Sequence, residues 1–253
     1  MLNLPEPILG DVNAITIATP DLDASLKFYQ QLGFKEVLRL DFPFPWIQVS
    51  DGALLIMLRK DPKPYLALTY YTKDIEKSAA IVRDAGIKFT FEPKPGDPMK
   101  RYIFPSPDGL NISLIPLFEG FAQPPGPTML KMAPQDFGNP EQYVNKTIGM
   151  FGELAHPVKD LSASIAFWEK LGLKTLSRHE SPYPWAILSD GKSIVGLHQS
   201  THFDYPAITY FAKNQKENIE KLKAAGMKLE EKMGEANVVL TSPEGQRLFL
   251  FSL

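Results

Sequence analysis

Residues 19–34 read TPDLDASLKFYQQLGF, and the chain repeats this pattern. Asp21 and Gly33 recur 53 residues later as Asp74 and Gly86. A fixed repeat period predicts a fold built from copies of one small supersecondary unit. The copies lie at residues 19–34, 72–88, 159–173 and 214–228.

Each copy has the sequence of a helix with a marked start and end. Asp21 is a favourable N-cap residue, because its carboxylate can accept from the free amides of the first helical turn. Leu22, Leu26 and Tyr29 follow helical spacing and predict one apolar face. Gly33 suits the left-handed position just after a helix. The same plan predicts three further helices, at Asp74–Ala85, Asp160–Leu171 and Asn214–Ala225.

Composition limits the classes of function. The 253 residues suffice for two ordinary domains, and the net charge is −2 with acidic and basic groups balanced in each half. A nucleic-acid partner is therefore not expected. The sequence has no cysteine and no apolar run long enough to span a membrane. We expect a soluble cytoplasmic protein, with no nucleic-acid or membrane partner and with an oligomeric state that the sequence leaves open.

Strands are predicted around each helix, among them Ala53–Leu58 in the first unit and a short strand near Lys88 in the second. The second half of the chain replays the first. The turn at 43–46, Pro-Phe-Pro-Trp, recurs at 182–185 as Pro-Tyr-Pro-Trp, and Ser50-Asp-Gly recurs at Ser189-Asp-Gly. Between the halves, prolines and glycines interrupt the pattern. The fold class predicted is α+β, with four βαβββ units in two pairs. The predicted domains are 1–118 and 149–253, and the linker between them is 119–148.

These motifs resemble the vicinal-oxygen-chelate superfamily, which includes glyoxalase I, bleomycin-resistance proteins and extradiol dioxygenases. The resemblance rests on Asp-Leu-x-x-Ser-x-x-Phe-Tyr/Trp ending in Leu-Gly-Phe/Leu, closed about 75 residues later by Pro-Asp/Glu-Gly. It covers nearly the whole chain except the linker. It implies that paired units curl into open barrels, with the helices outside and a ligand on the concave side. The same fold supports many reactions, so the resemblance does not fix the chemistry.

The resemblance also implies positions for a metal. Enzymes of the superfamily commonly place a His or Gln seven residues before the capping Asp, and a Glu in the last strand of a unit. Of the side chains here at those positions, only Glu153 and the Ser113 hydroxyl could bind a metal, and a divalent cation needs three or four donors. We therefore expect no metal and no cofactor. The positions are Ala14, Ile56, Ala67, Ser113, Glu153, Val195, Ala207 and Phe249.

The four histidines could rebuild such a site elsewhere. Strand alternation places His156 on the face opposite Glu153, where a partly buried, hydrogen-bonded imidazole under a helix is expected. His179 is expected on the surface near the second Pro-Tyr-Pro turn. His198 and His202 bracket the connection into the fourth unit and could meet, although surface positions on a loop are commoner for histidine.

Alternation also predicts which residues face the concave side. They combine aromatic walls with a few polar groups, as a pocket for an organic molecule requires, although a filled barrel interior would have the same composition. The two tryptophans are either lids over a flat ligand or plugs at the barrel ends. The predicted ligand-binding residues are Thr16, Trp46, Thr69, Tyr71, Asn111, Ser113, Trp185, Thr209, Phe211, Arg247 and Phe249.

Glu153 is the one candidate for acid–base catalysis, because a carboxylate among apolar neighbours has its pKa raised by desolvation. A structural Glu153 bonded to Arg247 or to the backbone is the competing interpretation. The preferred function is metal-independent binding of a small organic molecule, with the second-half cleft as the better candidate. The alternative is a lyase, isomerase or dioxygenase that uses relocated metal ligands or Glu153 as a general base.

Overall fold

The computed structural model describes residues 4–121, 129–231 and 237–253. The first half contains β1 (Val12–Thr19), α1 (Leu22–Gln31), β2 (Lys35–Leu40), β3 (Trp46–Ser50), β4 (Leu55–Lys60), β5 (Leu66–Thr72), α2 (Ile75–Asp84), β6 (Tyr102–Pro105) and β7 (Asn111–Pro116). The second half contains β8 (Met150–Pro157), α3 (Leu161–Lys170), β9 (Lys174–His179), β10 (Trp185–Ser189), β11 (Ile194–His198), β12 (Ala207–Ala212), α4 (Gln215–Ala224), β13 (Leu229–Glu231), β14 (Val238–Thr241) and β15 (Arg247–Ser252).

The four helices begin at the residues that the repeat predicts. The Asp21 carboxylate accepts from the amides of Asp23 and Ala24, and Asp160 caps α3 in the same way. Asn214 precedes α4 without a capping bond from its side chain. Gly33 ends the first unit's helix with φ +88°, a conformation that a residue with a Cβ rarely adopts.

Each half forms one sheet, so the units pair within a half. The first sheet has the order β2-β3-β4-β1-β5-β7-β6, and the second has the order β13-β14-β15-β12-β8-β11-β10-β9. The two units of a half meet where their first strands run antiparallel, β1 beside β5 and β8 beside β12. Neither sheet closes into a barrel among the described strands. The α+β class with two open, glyoxalase-like sheets is therefore confirmed.

One detail of the predicted organisation differs in the structure. The strand expected near Lys88 is reduced to an isolated bridge between Phe91 and Ile103, so the second unit has one strand fewer than the fourth. The predicted linker, 119–148, stays a prediction: within its described residues 119–121 and 129–148 it carries short 3-10 helices and an isolated bridge between Asn145 and Gly149. Residues 122–128 lie outside the described part of the chain.

The helix-facing sides of both sheets share one hydrophobic core, whereas the opposite sides carry separate apolar clusters. Reciprocal hydrogen bonds cross this shared core. The Ser25 and Tyr29 hydroxyls of α1 donate to Glu244 in the closing turn of the second half. Ser164 of α3 donates to Asp108 in the closing turn of the first half. Each half therefore supplies bonding partners for a helix of the other.

Among the described residues, none of the helices has the length and apolar character needed to cross a membrane.

Candidate functional site

Each sheet carries a cavity on the side away from the shared core. The first-half cavity has a volume of about 330 Å³, and the second-half cavity has a volume of about 430 Å³. Of the predicted ligand-binding residues, five line the first cavity: Thr16, Trp46, Thr69, Tyr71 and Ser113. Glu153 and Phe249 line the second.

The remaining predicted residues do not line either cavity. Asn111 lines a shallow groove between the halves, and its amide donates to the carbonyl of Leu66. Thr209 is fully buried and pairs with Glu153 across the sheet. Phe211 packs on Phe251, and the Arg247 guanidinium lies over the ring of Tyr205.

Glu153 occupies the middle of β8, opposite Thr209 on β12. Its Oε1 atom lies 2.9 Å from Nε2 of His198, and the side chains of both residues are about nine-tenths buried. Its Oε2 atom is also buried but accepts no hydrogen bond from any described residue. The neighbouring Thr209 hydroxyl is likewise buried without a partner in the described part of the chain. A buried carboxylate oxygen of this kind can accept a hydrogen bond from a ligand.

A glycine makes the space that this carboxylate occupies. An added Cβ at Gly196 would lie 1.9 Å from Oε2 of Glu153 and 2.8 Å from Nε2 of His198. The equivalent positions of the first half, 139 residues earlier, hold Ala14 in place of Glu153 and Met57 in place of Gly196. In the first half the small residue is Ala14 and the large one Met57, whereas in the second half the large residue is Glu153 and the small one Gly196. Of these two pairs, only the second contains a carboxylate.

His198 links Glu153 to a tyrosine at the cavity wall. Its Nδ1 atom lies 3.3 Å from the hydroxyl of Tyr183, so carboxylate, imidazole and phenol form one hydrogen-bonded chain. Partial burial raises the pKa of Tyr183, and the nearby Glu153 carboxylate adds to that rise. Trp185 stacks between His179 and His198 on adjacent strands, with ring centroids 4.2 Å and 6.0 Å away. Trp185 therefore supports the imidazole and does not line the cavity.

The structure corrects two expectations about this site. His198 is the last residue of β11 and is buried, not a surface residue on a loop. Glu153 does not bond to Arg247, because Glu153 shares a row across the sheet with Thr209 and Phe249, whereas Arg247 pairs with Ala207 in the next row. The sequence signal for His198 is its spacing of two residues from Gly196, which places both on one face of the strand.

His156 lies on the opposite face of β8, as alternation predicts. It is buried, and its Nε2 atom lies 3.2 Å from the hydroxyl of Ser106. The imidazole was expected to have hydrogen-bond partners for both nitrogens. Only Nε2 has one, since Nδ1 is buried without a partner among the described residues. Burial lowers the pKa of His156 to about 4.

The donor set around Glu153 does not fit the metal that the superfamily commonly binds. His198 adds one nitrogen to the carboxylate, and within the described residues no group of three His, Cys, Asp or Glu side chains converges. Ile56 and Val195 pack in the shared core, so the cavity faces of their strands instead present Met57 and Gly196. Two donors fall short of the three or four protein ligands that such sites require.

Comparisons with known proteins agree on the fold. Residues 11–114 match the model of the glyoxalase/bleomycin resistance protein/dioxygenase superfamily. No curated protein sequence matches the chain significantly.

The similar solved structures include extradiol enzymes. Homoprotocatechuate 2,3-dioxygenase of Arthrobacter globiformis has a TM-score of 0.65 at 14% identity, and the match covers 100% of this chain and 82% of that one. A variant of the Brevibacterium fuscum enzyme of the same name has a TM-score of 0.62 at 14% identity, with coverages of 100% and 74%. The 2,3-dioxygenase LapB of Pseudomonas sp. KL28 also has a TM-score of 0.62 at 14% identity, with coverages of 98% and 93%. At this identity the likeness shows the fold alone.

Proposed function

Since this chain belongs to the glyoxalase/bleomycin resistance protein/dioxygenase superfamily through residues 11–114, we propose that it is a cytoplasmic protein that binds a small organic molecule without a metal. The binding site proposed is the second-half cavity, with Glu153 as its polar anchor. The observation that carries the proposal is that Glu153 lines the cavity and that its buried Oε2 atom has no hydrogen-bond donor among the described residues.

The chemistry of the cavity indicates the kind of ligand. A carboxylate oxygen accepts hydrogen bonds, so the ligand should carry an N–H or O–H donor. The walls are aromatic and suit the flat apolar part of such a molecule. The aromatic residues that line the cavity are Tyr183, Phe203, Tyr205, Phe249 and Phe251. We therefore expect an aromatic or heteroaromatic amine or alcohol.

Binding by calorimetry of a panel of small aromatic amines and alcohols tests this proposal. A buried hydrogen bond to a charged acceptor is worth roughly 2 kcal/mol, which corresponds to a roughly 30-fold change in Kd. Glu153→Ala should weaken the hits by about that factor, whereas Thr16→Ala in the first half should leave them unchanged. If every hit binds Glu153→Ala like the wild type and Thr16→Ala abolishes binding, the wrong cavity has been chosen.

The metal-free part of the proposal has its own measurement. Protein purified without an affinity tag should contain well under one transition metal ion per chain by elemental analysis. One tightly bound metal per chain, lost in both Glu153→Ala and His198→Ala, would favour an enzyme with relocated metal ligands.

Acid–base catalysis is a second candidate, favoured by the chain of Glu153, His198 and Tyr183. Glu153 could remove a proton from a carbon next to a carbonyl group, and His198 could pass charge and proton between the carboxylate and the phenol. Incorporation of solvent deuterium into small α-hydroxy ketones, followed by NMR, would reveal such proton transfer. Exchange that depends on both Glu153 and His198 would support an isomerase or lyase. Exchange no faster than in buffer would reject catalysis and leave ligand binding as the proposed function.

A further inference from the structure

The first-half cavity has a different chemistry from the second. Its charged lining residues are Arg59 and Arg101, and no carboxylate lines it within the described residues. Its walls include Phe44, Trp46 and Phe118. A largely apolar cavity with a few convergent polar groups is typical of a small-molecule site.

Arg59 is held rigidly in this cavity. Its guanidinium lies 4.9 Å from the ring centroid of Tyr65 and 5.5 Å from that of Phe44. Its Nη2 atom donates to Asp61 at 2.7 Å, whereas Nε is buried and donates to none of the described residues. A planar guanidinium fixed by stacking and by one carboxylate loses little freedom when its remaining donors bind an oxyanion.

Arg101 supplies charge that Arg59 alone does not, because Asp61 already offsets the charge of Arg59. Arg101 stacks over Phe91 at 4.8 Å, and no salt bridge joins it to a described carboxylate. Paired hydroxyls lie at the bottom of the same cavity: Thr16 with Thr69 at 2.7 Å, and Tyr65 with Ser113 at 3.0 Å. The cavity thus combines net positive charge, neutral hydroxyls and aromatic walls.

Equivalent positions of the two halves carry opposite chemistry. The 139-residue shift places Arg59 at the position of His198, and Ala14 at the position of Glu153. We propose that the first-half cavity is a second, separate binding site, and that it takes a flat organic anion, an aromatic carboxylate in the first instance. This proposal does not depend on what the second-half cavity binds.

Calorimetric titration with naphthoate, and with naphthamide as its neutral counterpart of the same shape, tests the proposal. Naphthoate should bind at least tenfold more tightly than naphthamide to the wild type. Arg59→Gln and Arg101→Gln should each raise the Kd of naphthoate several-fold and leave that of naphthamide nearly unchanged. Glu153→Ala should bind naphthoate like the wild type.

Arg59 is packed between rings, so Arg59→Gln needs a circular dichroism spectrum to show that it folds. Should it not fold, Arg101→Gln decides the matter, because Arg101 lies outside the shared core. Equal affinity for naphthoate and naphthamide would overturn the proposal. Naphthoate binding that survives Arg101→Gln, or that is lost in Glu153→Ala, would also overturn it.

Discussion

Replacing Gly196 by alanine should destabilise the protein, and the main cause should be the Glu153 carboxylate. The added methyl group would overlap Oε2 of Glu153, so the carboxylate must move and its bond to His198 must break. Overpacking of a filled interior costs about 1–3 kcal/mol. Alanine itself is better than glycine in a strand by about 0.5–1 kcal/mol. The net expected loss in the free energy of unfolding is about 1–2 kcal/mol.

A double-mutant cycle isolates this cause. In the Glu153→Ala background only Nε2 of His198 remains of the three nearest atoms, and this end of a side chain can shift once its carboxylate partner is gone, so Gly196→Ala should become nearly neutral. The coupling energy between the two sites should therefore be about 1–2 kcal/mol, within the range found for residues in contact. Urea unfolding followed by circular dichroism measures all four proteins. For a chain of this length each 1 kcal/mol shifts Tm by about 2–4 °C.

The chain offers a matched control at Gly152, next to Glu153 in sequence. A Cβ at Gly152 would lie 2.4 Å from the ring of Phe211, away from the carboxylate. Gly152→Ala should be destabilising to the same degree with and without Glu153. If Gly196→Ala changed the free energy of unfolding equally in the wild type and in Glu153→Ala, the idea that Gly196 provides the space for the Glu153 carboxylate would be refuted.

Three further outcomes are expected. Because the pKa of His156 is lowered to about 4 from an ordinary 6.5, the unfolded chain binds the extra proton between these values. Stability should therefore be constant above pH 6.5 and fall by about 2 kcal/mol by pH 5, and urea unfolding should show that His156→Gln has lost most of this slope. Tyr210→Phe removes a 2.6 Å bond to the Asp51 carboxylate across the two halves and should cost about 1.5–3 kcal/mol in the same assay. Asp160→Ala removes a helix cap and should lower stability by about 1 kcal/mol, whereas Asn214→Ala, which loses no capping bond, should lower it by clearly less in thermal melts.

The repeat makes most of this fold predictable. Asp21, Asp74 and Asp160 each accept from a first-turn amide, so the helix starts follow from local chemistry alone. Inward and outward faces follow from strand alternation, which places Glu153 and His156 on opposite sides of β8 correctly. The reduction of the strand predicted near Lys88 to a bridge at Phe91 was not predictable, because a short strand depends on its partner more than on its own residues.

The pairing inside the candidate site could be predicted only in part. Glu153 stands out in sequence because it is the one carboxylate at an inward first-strand position. Its contact with His198 depends on the parallel register of β8 and β11 and on the true end of β11, which short patterns do not fix. Arg59 was not predicted as a site residue for the same reason, since β4 ends at Lys60, two residues beyond the end of the predicted strand Ala53–Leu58.

The two sides of each sheet have different roles, because one side packs in the shared core and the other carries a cavity. The helix-facing sides are bonded to each other through residues such as Glu244 and Asp108, so a change there must suit both halves at once. The cavity sides face away from this core, and the two cavities share no lining residue among the described residues. A substitution such as Glu153→Ala, or Ala14→Glu at the equivalent position of the first half, therefore alters one cavity and leaves the residues of the other unchanged. In a tandem chain of this kind, the residues of the two cavities can therefore change independently of each other while the shared core stays the same.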